Sequence, residues 1–251
     1  MFTKVNTACI QGLLGHSATA EADVSSGLPG FDIVGLPDAA VKEARERVRA
    51  AIKNCGFSFP AKRVTVNLAP ADIKKTGSMF DLPIAAAILL ATEEVKAETD
   101  EYMLLGELSL AGDLRPICGT LPLVMGAVQS GIRKVIVPTQ NAKEAALCED
   151  AEVFGAATLF EAMAHLTGRA PLARTEVSVP ALLKNSADSA GDFSEVKGQE
   201  NVKRALTVAA AGGHNILIVG PPGSGKSMLA QRLPSILPPL TKEEALEVTQ
   251  I

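Results

Sequence analysis

The sequence of 251 residues lacks tryptophan and has one tyrosine and eight phenylalanines, so aromatic residues make up only 4% of it. Proteins that hold single-stranded nucleic acid by stacking use a series of exposed aromatic rings. The composition therefore does not favour this mode of binding. Long apolar runs are missing too. The longest, residues 84–91, is much shorter than the roughly 20 residues that span a membrane, and we expect no membrane association.

Signals for secretion and for metal binding are also missing. The N-terminal residues MFTKVNTACI alternate polar and apolar side chains and do not form the apolar core of a signal peptide. The cysteines are widely spaced and form no C-x-x-C pair. We therefore expect a cytoplasmic protein with reduced thiols. With 24 basic and 28 acidic residues the net charge is −4, which excludes a globally basic nucleic-acid-binding protein and leaves only local patches.

Apolar residues make up 47% of the chain, enough for one large core or two ordinary ones. Strand and helix patterns alternate in residues 1–168, which predicts the α/β fold class, in the form of an α+β domain with a mixed sheet. Residues 169–192 contain two prolines and many small polar side chains and are interpreted as a linker. Residues 193–251 form a second module, in which residues 215–219 (NILIV) predict a buried strand.

The clearest motif is a phosphate-binding loop of the form G-x-x-x-x-G-K-[ST], placed between a strand pattern and a helix pattern. Glycine lets the backbone turn consecutive N–H groups towards an anion. The lysine places a cation at the terminal phosphates, and the Ser227 hydroxyl is a ligand for Mg²⁺. We therefore expect ATP or ADP to bind here with Mg²⁺. The residues assigned to the loop are Gly220, Pro221, Pro222, Gly223, Ser224, Gly225, Lys226 and Ser227.

Hydrolysis requires further groups, namely an acidic pair on a later strand and usually an arginine from a neighbouring subunit. The sequence after the loop reaches only one more predicted helix, which begins with the capping box formed by Thr241 and Glu244. None of the hydrolytic groups can be assigned in it. We therefore expect the chain to end inside the nucleotide-binding module, to hold no catalytic residue, and to bind nucleotide without turning it over.

Two stretches of the second module resemble AAA+ ATPases of the magnesium-chelatase type. They are FSEVKGQE at residues 193–200 and AAAGGHNILIVGPPGSGKSMLA at residues 209–230. The first module shares further stretches, among them GLPGFDIVGLPDAAVKEARERVRAAI and LGELSLAGDLRPICGTLPLV, with the ComM (YifB) family of magnesium-chelatase-like competence proteins. The resemblance extends over nearly the whole chain.

This resemblance implies a Lon-protease-like fold for residues 1–168 and the start of an AAA+ domain in residues 193–251. It also implies a ring-forming homo-oligomer, a hexamer in that family, that acts as an ATP-driven helicase for DNA branch migration during natural transformation. The expected partner is branched or single-stranded DNA. In the second module the resemblance places a Gly-Gln turn near the adenine base, so that Val196, Gly198 and Gln199 are expected base-side contacts.

The Lon-like fold raises the question of peptidase activity. Lon peptidases use a serine two residues after a Lys-x-Gly element and a lysine in a Gly-Gly-Leu-Lys phrase. In this sequence Met79 takes the serine's place and Leu121 the lysine's, while Ser78 stands one residue early. A thioether and an isobutyl group cannot form an acid–base pair. We therefore interpret the domain as non-catalytic.

A binding role is left for this domain. Basic residues recur at three- to four-residue spacing on the predicted helix 38–55, and more lie in a glycine-containing loop near residue 75. Such residues contact nucleic-acid phosphates, although for the helix we favour a solvated face with glutamates between the cations. We expect the loop lysines to be the better DNA contacts. The DNA-binding candidates are Lys74, Lys75, Lys42, Arg45 and Arg49.

The leading hypothesis is thus an AAA+ DNA motor subunit. Two enzymatic alternatives remain open, a chelatase subunit that inserts Mg²⁺ into a porphyrin and an ATP-dependent protease, the latter disfavoured by Met79 and Leu121. A nucleotide-gated scaffold without motor action is the third alternative.

Overall fold

The computed structural model describes residues 1–93, 95–178, 192–238 and 240–250, which fall into two compact units. The first unit is built on Met1–Val177 and the second on Ser178–Val248. The described strands are β1 (Phe2–Gln11), β2 (Leu14–Ser25), β3 (Gly30–Val34), β4 (Arg63–Ala69), β5 (Tyr102–Leu104), β6 (Glu107–Leu108), β7 (Leu114–Arg115), β8 (Lys134–Pro138), β9 (Glu152–Ala156) and β10 (Arg174–Thr175).

Eight of these strands form one sheet in the order β10-β9-β8-β5-β1-β2-β4-β3. The pairs β1–β2, β2–β4 and β9–β10 are antiparallel, whereas β1–β5, β5–β8, β8–β9 and β3–β4 are parallel. The remaining two strands, β6 and β7, form a small hairpin. The mixed sheet with helices confirms the predicted α/β fold class.

The described α-helices of the first unit are α1 (Ala39–Asn54), α2 (Asp81–Ala91), α3 (Thr120–Gln129), α4 (Ala142–Ala145) and α5 (Leu159–Leu166). The predicted N-cap of α1 is confirmed, because the side chain of Asp38 accepts a hydrogen bond from the Val41 N–H at 2.8 Å. Gly56, which follows the C-cap, has a φ of +83° and ends the helix as expected. None of the helices in the described part of the chain has the length and apolarity that crossing a membrane requires.

The core of the first unit lies around β1, β2 and α2. Five consecutive residues of β1, Val5–Cys9, are buried, and because neighbouring side chains on a strand point to opposite faces, both faces of this strand are covered. Helix α2 packs on β1 and β2 and is buried on nearly its whole circumference. This explains the longest apolar run of the sequence: a helix that is apolar all round belongs inside a core.

The second unit contains α6 (Glu200–Gly212), α7 (Lys226–Arg232) and α8 (Lys242–Thr249), with short 3-10 helices at Phe193–Glu195 and Leu233–Ile236. Its core is small and centres on Val196, Leu206 and Leu229.

The prediction of a buried strand at residues 215–219 is wrong. The segment is not paired in any sheet, and Leu217 and Val219 are 86% and 84% exposed. A buried parallel strand requires neighbouring strands on either side. The described residues of the second unit include no other strand, so the apolar side chains of this segment have no sheet to enter.

The sheet of the first unit continues into the predicted linker 169–192, because β10 pairs with β9. The approach to β10 is fixed by His165, whose Nδ1 accepts a hydrogen bond from the Leu172 N–H at 2.9 Å. His165 is buried against the rings of Phe154 and Tyr102. Residues 179–191 of the predicted linker lie outside the described residues.

One ion pair joins α1 to the start of α2. Arg47 donates from Nε and Nη2 to the two carboxylate oxygens of Asp81, at 2.8 and 3.1 Å. Asp81 is fully buried and also accepts the Leu108 N–H at 3.1 Å. Burial raises the pKa of this carboxyl group, and the hydrogen bond from Arg47 opposes the rise. The cation and the backbone donor together therefore offset part of the cost of burying this charge.

We expect Arg47→Ala to lower the free energy of unfolding by about 3 kcal/mol, because it leaves the buried carboxylate without its cation. Chemical denaturation measures the change. Arg45→Ala on the exposed face of the same helix is the matched control, with an expected loss below about 0.5 kcal/mol. Equal losses for the two variants would contradict the assigned role of the ion pair.

Burial, and secondly the nearby Lys134 ammonium, lowers the pKa of His165 from 6.5. The unfolded chain therefore binds this proton more tightly than the folded chain does. The contribution of His165 to stability is complete above pH 6.5 and is lost as the pH falls from there to the lowered folded pKa. In His165→Asn, which retains an acceptor for the Leu172 N–H, we expect a flatter dependence of the unfolding free energy on pH over this range. Denaturant titrations on either side of pH 6.5 measure it, and identical slopes in both proteins would refute the assignment.

Candidate nucleotide-binding site

The predicted phosphate loop connects the extended segment 215–219 to α7. Gly223 and Gly225 have φ values of +77° and +80°, in a region of backbone conformation that residues with a Cβ rarely adopt. No other atom lies within 4 Å of the position that a Cβ on Gly223 would occupy, so the space beside this glycine is open. Gly225 forms the N-cap of α7 and accepts the Leu229 N–H at 3.0 Å. The two glycines thus adopt the left-handed backbone conformations that the turns of this loop require.

The Lys226 ammonium folds back over this loop. Its Nζ donates to the carbonyl oxygens of Gly220 and Pro221, both at 2.8 Å, and to the Ser224 hydroxyl at 3.3 Å. The cation is therefore held by neutral acceptors of the loop. A phosphate oxygen carries a full negative charge and is a stronger acceptor than a carbonyl oxygen, so the ammonium is placed where an incoming phosphate would attract it.

Gln199 connects the loop to the turn before α6. Its Nε2 donates to the Ser224 carbonyl oxygen at 2.8 Å, and both Gly198 and Gln199 have positive φ values, of +69° and +57°. These two predicted base-side residues therefore lie beside the phosphate loop. The third, Val196, is 1% exposed. Its side chain packs in the small core of the second unit and so attaches the turn to that core.

A contact that the motif does not reveal fixes the helix behind the loop. Arg232, in the last turn of α7, donates to the Glu195 carboxylate at 2.6 and 3.2 Å. The two residues are 37 positions apart, and no sequence pattern of short range relates them. Gln199 contacts the phosphate loop and this ion pair contacts the last turn of α7. The two contacts together join the 193–199 turn to both the loop and the helix.

These residues fit a nucleoside triphosphate with Mg²⁺. The loop presents open space beside Gly223, a cation in Lys226 and, on its exposed side, the hydroxyl of Ser227. A hydroxyl oxygen is a suitable ligand for Mg²⁺, a hard cation that keeps several waters and binds substrate phosphates. Lys226 and Ser227 are therefore the residues that would hold the phosphates and the metal ion.

The positions of the Lon-type dyad lie in the first unit. Met79 and Leu121 are 8% and 0% exposed and contribute to the hydrophobic core. The neighbouring Ser78 hydroxyl donates to the Glu107 carboxylate and lies one position before the place that the serine nucleophile takes in the Lon family. The structure thus places packing side chains where a peptidase of this fold would require a nucleophile and a lysine.

The DNA-binding candidates separate into exposed and buried residues. Lys42, Arg45, Arg49 and Lys74 are exposed, whereas Lys75 is fully buried. The expectation that Lys75 is presented on a flexible loop is therefore wrong.

The backbone around Lys75 explains its burial. Its N–H donates to the Leu36 carbonyl at 3.2 Å and its carbonyl accepts the Asp38 N–H at 3.0 Å, which fixes the segment to the residues before α1. The Lys75 ammonium donates to the Ile73 carbonyl at 2.8 Å, and burial lowers its pKa. A lysine held in this way is not available to a phosphate at the surface.

Comparison with known proteins relates the chain to one group. Residues 20–141 match the family described as subunit ChlI of Mg-chelatase, and residues 192–251 match the family described as magnesium chelatase, subunit ChlI. The chain is 47% identical to an uncharacterized protein YifB of Salmonella typhimurium over 248 residues, which are 98% of this chain and 48% of that protein.

Two further relatives extend the comparison. The competence protein ComM of Haemophilus influenzae is 44% identical over 243 residues, 96% of this chain and 47% of that protein. An archaeal Lon protease of Thermococcus kodakarensis is 30% identical over 119 residues, 47% of this chain and 19% of that protein. The chain therefore spans about half the length of the YifB and ComM relatives it matches, and its Lon-like part corresponds to a small share of the protease.

We expect ATP with Mg²⁺ to raise the melting temperature of the second unit, because a ligand that binds only the folded state stabilises it. Lys226→Ala should abolish this increase, since it removes the only side-chain cation that the described loop residues 220–227 contain. Differential scanning calorimetry, with each variant compared with itself without nucleotide, measures the shift. Arg204→Ala, which removes an exposed cation of α6, should retain it. An unchanged shift in Lys226→Ala would show that the nucleotide binds elsewhere.

Proposed function

Because the chain belongs to the ComM (YifB) family of magnesium-chelatase-like AAA+ proteins, we propose that it is the nucleotide-binding part of a ring-forming ATPase that acts on DNA. The observation that carries the proposal is the phosphate loop, in which glycines with positive φ surround the Lys226 ammonium. ATP and Mg²⁺ are the cofactors. The proposed activity is branch migration, the movement of a DNA junction driven by ATP hydrolysis, in the cytoplasm during natural transformation and recombination.

We propose that residues 1–251 bind nucleotide but do not hydrolyse it. The described residues after Ser227 form helices α7 and α8 and a 3-10 helix, without a strand that would carry the acidic pair for Mg²⁺ and water. Hydrolysis in AAA+ rings also uses an arginine from a neighbouring subunit, which supports a homo-oligomer, a hexamer in the proposed form.

Proteolysis is not favoured as the function. The dyad positions hold Met79 and Leu121, which are buried in the core, and the Ser78 hydroxyl donates a hydrogen bond to the Glu107 carboxylate. Magnesium chelation is the second candidate, because the descriptions of both matching families name that enzyme, including the family that matches residues 20–141. The name ComM of the Haemophilus relative favours a role in competence instead.

We expect the protein as encoded in its organism to hydrolyse ATP faster in the presence of single-stranded DNA or a four-way junction than with linear duplex or without DNA. Turnover is measured by phosphate release, with Lys226→Ala as the inactive control. The physical reason is that a motor couples the nucleotide state to the polymer on which it moves, so DNA shifts the population of the hydrolysing state.

The alternatives give different results in the same assay. Acceleration by a porphyrin with Mg²⁺, and not by DNA, would replace the proposal with the chelatase function. Turnover that responds to neither would support a nucleotide-gated scaffold and contradict the motor.

A further inference from the structure

Two phenylalanines and three arginines meet where the edge strand β3 lies beside α1 and β4. We call this the aromatic–arginine surface; its members are Phe31, Arg45, Arg49, Phe59 and Arg63. It combines the basic side of α1 with aromatic rings that are 28 residues apart in the sequence, and the sheet brings them together through the parallel pairing of β3 with β4.

The two rings lie close together in a tilted arrangement, and one guanidinium group lies over the second ring. The ring centroids of Phe31 and Phe59 are 5.6 Å apart, and the Arg49 guanidinium carbon lies 5.4 Å from the Phe59 centroid. Both phenylalanines are partly exposed and Arg49 is exposed. A guanidinium plane held on a ring can in turn stack on a nucleobase, as can an exposed ring face. The surface thus offers a series of planar groups at its solvent side.

The second arginine of α1 is fixed at the same place. The Nη1 of Arg45 donates to the Phe31 carbonyl oxygen at 3.4 Å and its Nε to the Lys42 carbonyl oxygen at 3.3 Å. These two bonds use part of the donor set of a guanidinium, which has five N–H groups. Because Arg45 is exposed, a phosphate oxygen could accept hydrogen bonds from the remaining donors.

The charges around the surface favour an anion. Lys42 and Lys62 are exposed next to its arginines. The acidic neighbours are Asp32, which pairs with Arg63 at 3.5 Å, and Glu46 on α1. The Asp32 pair is exposed on both sides, and such pairs are weak enough to exchange partners. A phosphate would therefore compete with Asp32 for Arg63.

We propose that the aromatic–arginine surface binds single-stranded nucleic acid, with phosphates at Arg45 and Arg63 and a base stacked on the planar groups of Arg49 and Phe59. The inference rests on the proposed action on DNA and adds its contact site in the Lon-like unit. It also revises the expectation from composition: aromatic residues are few in the sequence, but the fold concentrates two of them beside three arginines. A duplex hides its base faces, so this surface distinguishes the two forms of DNA.

The test is fluorescence anisotropy of a labelled oligothymidylate of about 16 nucleotides, without nucleotide, in the Lys226→Ala background so that the phosphate loop does not contribute. We expect Phe59→Leu, which retains an apolar side chain but removes the ring, to weaken binding about five- to 100-fold. Phe57→Leu is the matched control, because the ring of Phe57 lies 6.2 Å from that of Phe160 and contacts no arginine of the surface; its affinity should stay unchanged.

Charge variants separate stacking from phosphate contact. Arg49→Lys keeps the positive charge but removes the planar guanidinium group. We therefore expect weaker binding of the oligonucleotide with an unchanged dependence on salt. Arg45→Ala should reduce the salt slope by about 0.7. Asp32→Asn should strengthen binding, since it removes the competitor for Arg63.

Each result decides the inference. Equal affinity of Phe59→Leu and Phe57→Leu, equal affinity for single strand and duplex, or full competition by an acidic peptide such as polyglutamate would overturn it. If those results occur while DNA still accelerates ATP turnover, the DNA contact lies elsewhere and the proposed function stands. If the unsubstituted surface binds no DNA at low salt and turnover ignores DNA as well, the proposed function fails with it.

Discussion

The phosphate loop depends on backbone conformations that only glycine adopts at low cost. With Gly223 and Gly225 at φ values near +80°, the chain turns sharply enough to bring the Lys226 ammonium over the carbonyl oxygens of residues 220 and 221. The Gln199 amide and the Arg232–Glu195 ion pair then fix this turn from the side. The proposed nucleotide binding and the proposed motor action depend on this arrangement.

The first unit has a Lon-like fold in which the two dyad positions hold other residue types. The dyad positions are filled by apolar side chains of the core, and the polar residues nearby are engaged in the Arg47–Asp81 pair and the bond between Ser78 and Glu107. The proposal that this unit is not a peptidase rests on those two apolar positions. Its exposed arginines on α1 remain available for contacts with a partner.

Features with a local cause were predictable from the sequence. The Asp38 cap of α1 and the apolar helix α2 depend on neighbours within a few positions, and each is confirmed in the structure. The phosphate motif is local as well, and its role in nucleotide binding stays a prediction. Two predictions failed because their causes are distant in the chain. Residues 215–219 have a strand pattern but no partner strand among the described residues of their unit, and Lys75 is buried through backbone pairing with residues 36 and 38. The meeting of Phe31 with Phe59 likewise depends on sheet order, which composition does not contain.

We propose that hydrolysis of the ATP held by the phosphate loop drives the movement of DNA. The most direct measurement is strand exchange in a fluorescently labelled, mobile four-way junction, followed in time with the protein as encoded, ATP and Mg²⁺. We expect the junction to move with ATP, and to stay in place both with a non-hydrolysable ATP analogue and in Lys226→Ala. A junction that remains static while the protein hydrolyses ATP at full rate would contradict it.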